Sequence, residues 1–148
     1  MKELTVLVEN LKKTSVKKII DSRMGEFENI SRNFNDLFRE LVFCILTAGT
    51  SAELGIKTMD HLGDLIFTGS EKDIQKKLKE VYRFHTLRAG FIHKARDDFR
   101  KLDINDADIR VKLVENIKGI GFKEASHFLR NIGHKNVAII DFHKLICL

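Results

Sequence analysis

Apolar residues recur three or four positions apart along almost the whole chain, and no segment alternates between apolar and polar residues as a strand does. The widest apolar stripe lies in residues 35–48 and consists of Leu37, Phe38, Leu41, Val42, Ile45 and Leu46. After Glu40 this segment is apolar on nearly every side, which is typical of a buried central helix. The pattern predicts an all-α fold with about eight or nine helices joined by short connections.

The other predicted helices are set by the same spacing and by capping residues. Apolar residues mark two early helices, at Leu4, Leu7, Val8 and Leu11 and at Val16, Ile19, Ile20 and Phe27. Ser51 and Ser70 resemble N-caps. Further helices are predicted over residues 72–82, 85–99, 106–116, 123–132 and 142–148. The last of these is too short to finish a domain, so we expect a truncated chain that lacks its last helices.

Composition indicates one globular helical domain over residues 1–148. The net charge of +5 suits a polyanionic partner, although many basic proteins bind no nucleic acid. Cys44 and Cys147 are too few for a four-cysteine cluster, and no set of ligands joins the histidines, so we predict no metal and no cofactor. Without a visible signal peptide or membrane-length apolar run, we expect a soluble, cytoplasmic monomer that does not enter a membrane.

Residues 110–132 have the pattern of two helices joined by a hairpin. The pattern consists of Leu113, Ile117, Gly119, Ile120, Gly121, Lys123 and Ala125. Gly119 and Gly121 permit positive φ and a close approach of the backbone, and we expect Ile120 to anchor the turn in the core. Free N–H groups at the start of the second helix, with Lys118 beside them, could bind a DNA backbone phosphate. The alternative is a tight turn whose glycines serve geometry alone.

Lys123 and Asp141 are the candidate catalytic pair. Lys123 lies two residues past the second glycine, where a neutral amine could attack the anomeric carbon of a sugar and form a Schiff base. Asp141 follows an apolar run, and its carboxylate could stabilise an oxocarbenium-like transition state and move a proton. Each residue also has an ordinary alternative role. Lys123 could be a phosphate-binding or solvated lysine, and Asp141 could be a helix N-cap. The pair is more specific than either residue.

Together these residues resemble the endonuclease III-type DNA glycosylase superfamily, and more closely its archaeal-type 8-oxoguanine DNA N-glycosylase/AP lyases. The resemblance is carried by residues 40–56, 82–96 and 119–141. It implies an enzyme that flips 8-oxoguanine out of double-stranded DNA, excises it and nicks the strand by β-elimination. Lys123 then matches the Schiff-base nucleophile, Asp141 the catalytic aspartate, and Gly119 and Gly121 the phosphate-binding hairpin.

The resemblance leaves several roles open. Phe84, or alternatively Tyr82, would stack on the flipped base. Family members usually carry arginine before the histidine that follows the aspartate, whereas here Phe142 precedes His143. The family also continues for several more helices. Two alternatives therefore remain: a non-catalytic DNA-binding module or inactive fragment, and an interaction domain. A DNA substrate would associate the protein with the nucleoid.

Overall fold

The computed structural model describes residues 2–30 and 32–140, and within these ranges α-helix is the only regular secondary structure. The predicted all-α class is therefore confirmed. The helices described are α1 (Lys2–Leu11), α2 (Ser15–Glu28), α3 (Phe34–Thr47), α4 (Ala52–Leu62), α5 (Leu65–Thr68), α6 (Glu71–Lys79), α7 (His85–Phe99), α8 (Ile109–Asn116) and α9 (Phe122–Asn131). The helix predicted over residues 142–148, with its cap Asp141, lies outside the described residues.

Helix boundaries follow the capping chemistry. The Ser51 hydroxyl accepts a hydrogen bond from the Leu54 N–H at the start of α4. Before α6, the Ser70 hydroxyl accepts from the Asp73 N–H while the Asp73 carboxylate accepts from the Ser70 N–H. Both predicted caps are thus confirmed.

Two boundary predictions are wrong. The structure ends α6 at Lys79 rather than at residue 82 and begins α8 at Ile109 rather than at residue 106. Asp103 and Asp106 form turns instead, because their carboxylates accept hydrogen bonds from the backbone N–H groups of Asn105 and Asp108. Helix α5 was not predicted, since one turn is too short to show a period.

Helix α3 forms the centre of the core, as its apolar stripe predicted. Its buried residues are Leu37, Phe38, Leu41, Val42, Cys44, Ile45 and Leu46. It packs against α4, α7 and α9, and α6 pairs with α7 beside it. Cys44 is fully buried, and burial raises the pKa of its thiol well above its usual value. The thiol is therefore a packing group.

The hairpin between α8 and α9 packs onto α7. Gly119 has φ +88°, and a Cβ there would lie 2.4 Å from Cδ2 of Phe91. Ile120 is buried, as predicted, and Ala125 is buried too. Gly121 does not use the positive φ that glycine permits, because this residue is the extended N-cap of α9 with φ −98° and ψ −177°. Only Gly119 has the left-handed conformation in this turn.

We expect Gly119→Ala to lower the free energy of unfolding by about 2–4 kcal/mol, because it adds both backbone strain and a clash with Phe91. Gly25→Ala is the matched control, since Gly25 lies within α2 and a Cβ added there would have no other atom within 4 Å. That substitution should be neutral or stabilising by up to about 1 kcal/mol. Urea denaturation of both variants measures the difference, and equal effects would contradict the packing described.

Candidate active-site cleft

A cleft of about 500 Å³ lies between the α3–α4 junction and helix α9. Its walls are formed by Thr47, Thr50, Ala52, Lys123, Glu124, His127, Arg130 and Ile139. Lys123, His127 and Arg130 are spaced at four and three residues, which places them on one face of α9. The cleft therefore receives basic side chains from three successive turns of one helix.

Lys123 lies in the first turn of α9 with 35% of its side chain exposed. Its Nζ is 3.6 Å from Oε1 of Glu124, and Oε2 of the same carboxylate accepts the N–H of Gly121 at 3.1 Å. Glu124 thus caps the helix and contacts the lysine. The Gly121 N–H, expected to be free for a phosphate, is bonded to Glu124 in this structure.

His127 is partly buried one turn further along α9. Its ring packs edge-on against Phe43, with the centroids 5.8 Å apart. Burial and, after it, the charge of Arg130 lower the pKa of His127, and the charge of Lys123 acts in the same direction. The imidazole is therefore neutral at neutral pH.

Arg130 is connected to the buried side of α3 by hydrogen bonds. Its Nε and Nη2 donate to Oδ1 of Asn131, at 3.1 and 2.8 Å, and Nδ2 of Asn131 donates to Oε1 of Glu40 at 2.5 Å. Burial raises the pKa of the Glu40 carboxyl, although the Asn131 hydrogen bond and the charges of Arg130 and Arg23 act against it. A polar chain therefore runs from the core to the cleft.

The predicted site residues do not all meet at this cleft. Lys123 lines it, and Lys118, Gly119 and Gly121 form the turn at the start of α9. Asp141 lies outside the described residues, although Ile139, two positions earlier, is part of the cleft wall. The catalytic pairing of Lys123 with Asp141 therefore remains a prediction.

The aromatic candidates for base stacking lie elsewhere. Phe84 is the N-cap of α7, with its ring 6.3 Å from that of Tyr82 and 4.3 Å from the Arg83 guanidinium, and it does not line the cleft. Tyr82 is 3% exposed and its hydroxyl donates to the carbonyl of Leu46. Tyr82 is thus a core residue, so its alternative role in stacking is wrong.

His127, Arg130, Glu124, Asn131 and Glu40 were not predicted as site residues. The spacing of Lys123, His127 and Arg130 on one helical face could have indicated two of them. Among the residues described, no group of three histidine, cysteine or acidic side chains could hold a metal ion. Within the same part of the chain, no helix combines the length and apolar character needed to cross a bilayer.

The raised pKa of Glu40 predicts a stability change with pH. Below the unfolded value of 4.5 the carboxyl is protonated in both states, whereas at higher pH the folded state carries a partly buried charge. The stability contribution of Glu40 is therefore lost as pH rises through its folded pKa. We expect Glu40→Gln to become progressively more stable than the parent chain from pH 4.5 to 7.

The matched control for that experiment is Asp98→Asn. The hydrogen bonds of Lys94 and Lys101 lower the pKa of Asp98, so its stability contribution is present at neutral pH and lost on acidification. Asp98→Asn should accordingly be less stable than the parent at pH 7 and approach it near pH 3. Unfolding free energies between pH 3 and 7 measure both differences, and slopes of the same sign would contradict the assignment.

Comparison with known proteins places this arrangement in one family. A family model for 8-oxoguanine DNA glycosylase matches residues 20–148. The 8-oxoguanine DNA glycosylase/AP lyase of Korarchaeum cryptofilum is 49% identical over 145 residues, which cover 93% of this chain and 69% of that relative.

Solved structures give the same result. The 8-oxoguanine DNA glycosylase of Methanocaldococcus jannaschii superposes with a TM-score of 0.88 at 42% identity, covering 98% of this chain and 71% of the other. Its complex with a 15mer DNA containing 8-oxoguanine superposes with a TM-score of 0.86, also at 42% identity, covering 97% and 73%. The predicted helix-hairpin-helix glycosylase fold is thus confirmed, and this chain belongs to the 8-oxoguanine DNA glycosylase family.

Proposed function

We propose that this chain is a bifunctional base-excision enzyme, which removes 8-oxoguanine from double-stranded DNA and then nicks the abasic site. The observation that carries the proposal is the position of Lys123, inside a cleft and directly after a hairpin suited to a backbone phosphate. Family membership and the DNA complex of the Methanocaldococcus jannaschii relative support the substrate. Acting on DNA would place the protein at the nucleoid.

Lys123 is the proposed nucleophile. Its neutral Nζ attacks C1′ of the damaged nucleotide, and the bond between C1′ and the base breaks, so that its electron pair leaves with the base. The sugar ring then opens to give a Schiff base between Nζ and C1′. Loss of a proton from C2′ expels the 3′ phosphate, which nicks the strand by β-elimination.

Asp141 is the proposed partner of this lysine. A carboxylate beside C1′ would stabilise the positive charge that develops on the sugar as the base departs, and would accept the proton that the attacking amine loses. The support from the described residues is the position of Ile139, which lines the cleft two positions before Asp141.

The hairpin is the proposed phosphate site. Gly119 lets the turn approach α7 closely, and Lys118 is exposed beside it. Phosphate contacts of this kind position the duplex without reading its sequence. Because Glu124 accepts the Gly121 N–H, an incoming phosphate would compete with that carboxylate or use other N–H groups of the turn.

Borohydride trapping on a duplex containing 8-oxoguanine tests the catalytic proposal. We expect a covalent protein–DNA adduct with the parent chain, and a loss on the order of 10³-fold or more in Lys123→Gln, because no Schiff base can form. Lys101→Gln is the control, since Lys101 is exposed and paired with Asp98 away from the cleft. Duplex binding by the parent chain without an adduct would instead support a non-catalytic DNA-binding module.

Salt dependence tests the hairpin. We expect Lys118→Gln to reduce the slope of log K against log salt concentration by about 0.9, the value for one phosphate contact on duplex DNA. Affinities measured by fluorescence anisotropy from 50 to 200 mM salt give this slope, with Lys101→Gln as the control. An unchanged slope in Lys118→Gln would show that Lys118 does not contact a phosphate.

A further inference from the structure

Arg130 lies at the end of the cleft that is far from the hairpin. It belongs to the last turn of α9, seven residues after Lys123, and both residues line the same cavity. Seven residues of α-helix span about 10 Å along the axis. The cleft therefore has a lysine at its hairpin end and a guanidinium at its opposite end.

The guanidinium is fixed in place. Two of its N–H groups converge on Oδ1 of Asn131, which is 6% exposed and is itself bonded to Glu40. The guanidinium carbon also lies 5.2 Å from the centroid of the Phe27 ring. Arginine has five N–H donors, so three of them remain after the two bonds to Asn131.

The direct anchor is neutral, which leaves the positive charge available. Asn131 orients Arg130 through an amide oxygen rather than a carboxylate. The charge of Arg130 acts within the cleft, because it contributes to the lowered pKa of His127. A rigid guanidinium that accepts no hydrogen bonds needs a ligand atom that is an acceptor.

The geometry of the proposed reaction identifies that acceptor. With the phosphate at the hairpin and C1′ at Lys123, the flipped base extends along the cleft toward Arg130. Arginine side chains on a helix tilt toward its N-terminus, which brings the guanidinium back toward the base. On the guanine ring the edge far from the sugar carries the O6 carbonyl, which is an acceptor, whereas adenine carries an amino donor there.

We infer that Arg130 is a specificity-determining residue, which donates a hydrogen bond to O6 of the flipped guanine-type base and disfavours 6-aminopurines. Asn131 and Glu40 are positioning residues that hold its guanidinium. This inference rests on the proposed function, because it assumes that Lys123 attacks the sugar of a flipped nucleotide.

The test is a chemical double-mutant cycle between protein and substrate. Single-turnover excision is measured on two duplexes, one with 8-oxoguanine and one with 2-amino-8-oxopurine, which carries hydrogen in place of O6. The proteins are the parent chain and Arg130→Met. The ratio of the two rates in each protein is compared, so that the intrinsic leaving ability of each base cancels.

We expect the ratio of the excision rate on 8-oxoguanine to the rate on the analogue to be about tenfold to a hundredfold higher in the parent chain than in Arg130→Met. Arg110→Met is the matched control. Arg110 also lies over a phenylalanine ring, that of Phe122, and bonds a neutral side chain of α9, Ser126, but it does not line the cleft. Its removal should leave the preference at the parent value.

The positioning residues are tested by the same ratio. Asn131→Ala should lose most of the preference, whereas Glu40→Gln should keep it, because glutamine can still accept the Asn131 hydrogen bond. Melting temperatures of all variants separate a loss of preference from a loss of folding. If Arg130→Met does not fold, Arg130→Lys replaces it, and its single ammonium should retain only part of the preference.

Several outcomes would overturn the inference. Arg130→Met slowing both substrates by one common factor would show that the guanidinium supports the cleft without reading O6. A parent chain that excises 8-oxoguanine without preference for O6 would overturn the inference alone. If the parent chain excises neither base, the proposed function fails. The inference is then tested by binding alone, with duplexes that carry either base on a 2′-fluoro sugar, and equal affinity of the parent chain for the two duplexes rejects it as well.

Discussion

The close contact between the Gly119 turn and the ring of Phe91 determines where α9 begins, and the whole cleft depends on that starting point. A left-handed glycine allows the turn to lie against α7 where a Cβ would meet Phe91 at 2.4 Å. Since α-helical residues rotate by about 100° each, a shift of one residue would move every side chain of α9 to a different face. The same constraint that makes the hairpin compact therefore aims Lys123 into the cleft.

The sequence predicts the parts of the fold that are determined by residues close together in the chain, and it does not predict the parts that depend on contacts between distant residues. Helix α7 has the predicted bounds, and the bounds of α3 differ from the predicted ones by one residue at each end. Both helices are long enough for the spacing of their apolar residues to indicate where they begin and end. The sequence does not determine which hairpin glycine adopts positive φ, because a glycine permits that conformation without requiring it: Gly119 adopts it and the N-cap Gly121 does not. Apolar spacing predicted α1 and α2 but not what covers them: Leu4 and Ile19 are 61% and 65% exposed.

The site shows the same limit more strongly. Lys123 could be predicted because the hairpin motif and the lysine are adjacent in the chain. The Glu40–Asn131 bond could not, because it joins residues 91 positions apart and exists only once α3 packs against α9. Arg130 was missed for that reason: an arginine at the end of an amphipathic helix is usually a solvated residue, and only its buried anchor distinguishes it. Only the motif indicates Asp141 as a site residue, and its placement in the cleft remains a prediction.

The electrostatics of the cleft follow from placing basic side chains on one face of a single helix. Like charges at helical spacing repel each other, and the fold reduces this repulsion by keeping His127 neutral and by capping α9 with Glu124 next to Lys123. Burial is the largest cause of the depressed pKa of His127, and the positive charges of Arg130 and Lys123 add to it against the opposing charge of Glu124. Positive charges grouped on one face of a helix attract a polyanionic strand. The helix face that would attract DNA therefore also carries Lys123, the lysine proposed to carry out the chemistry.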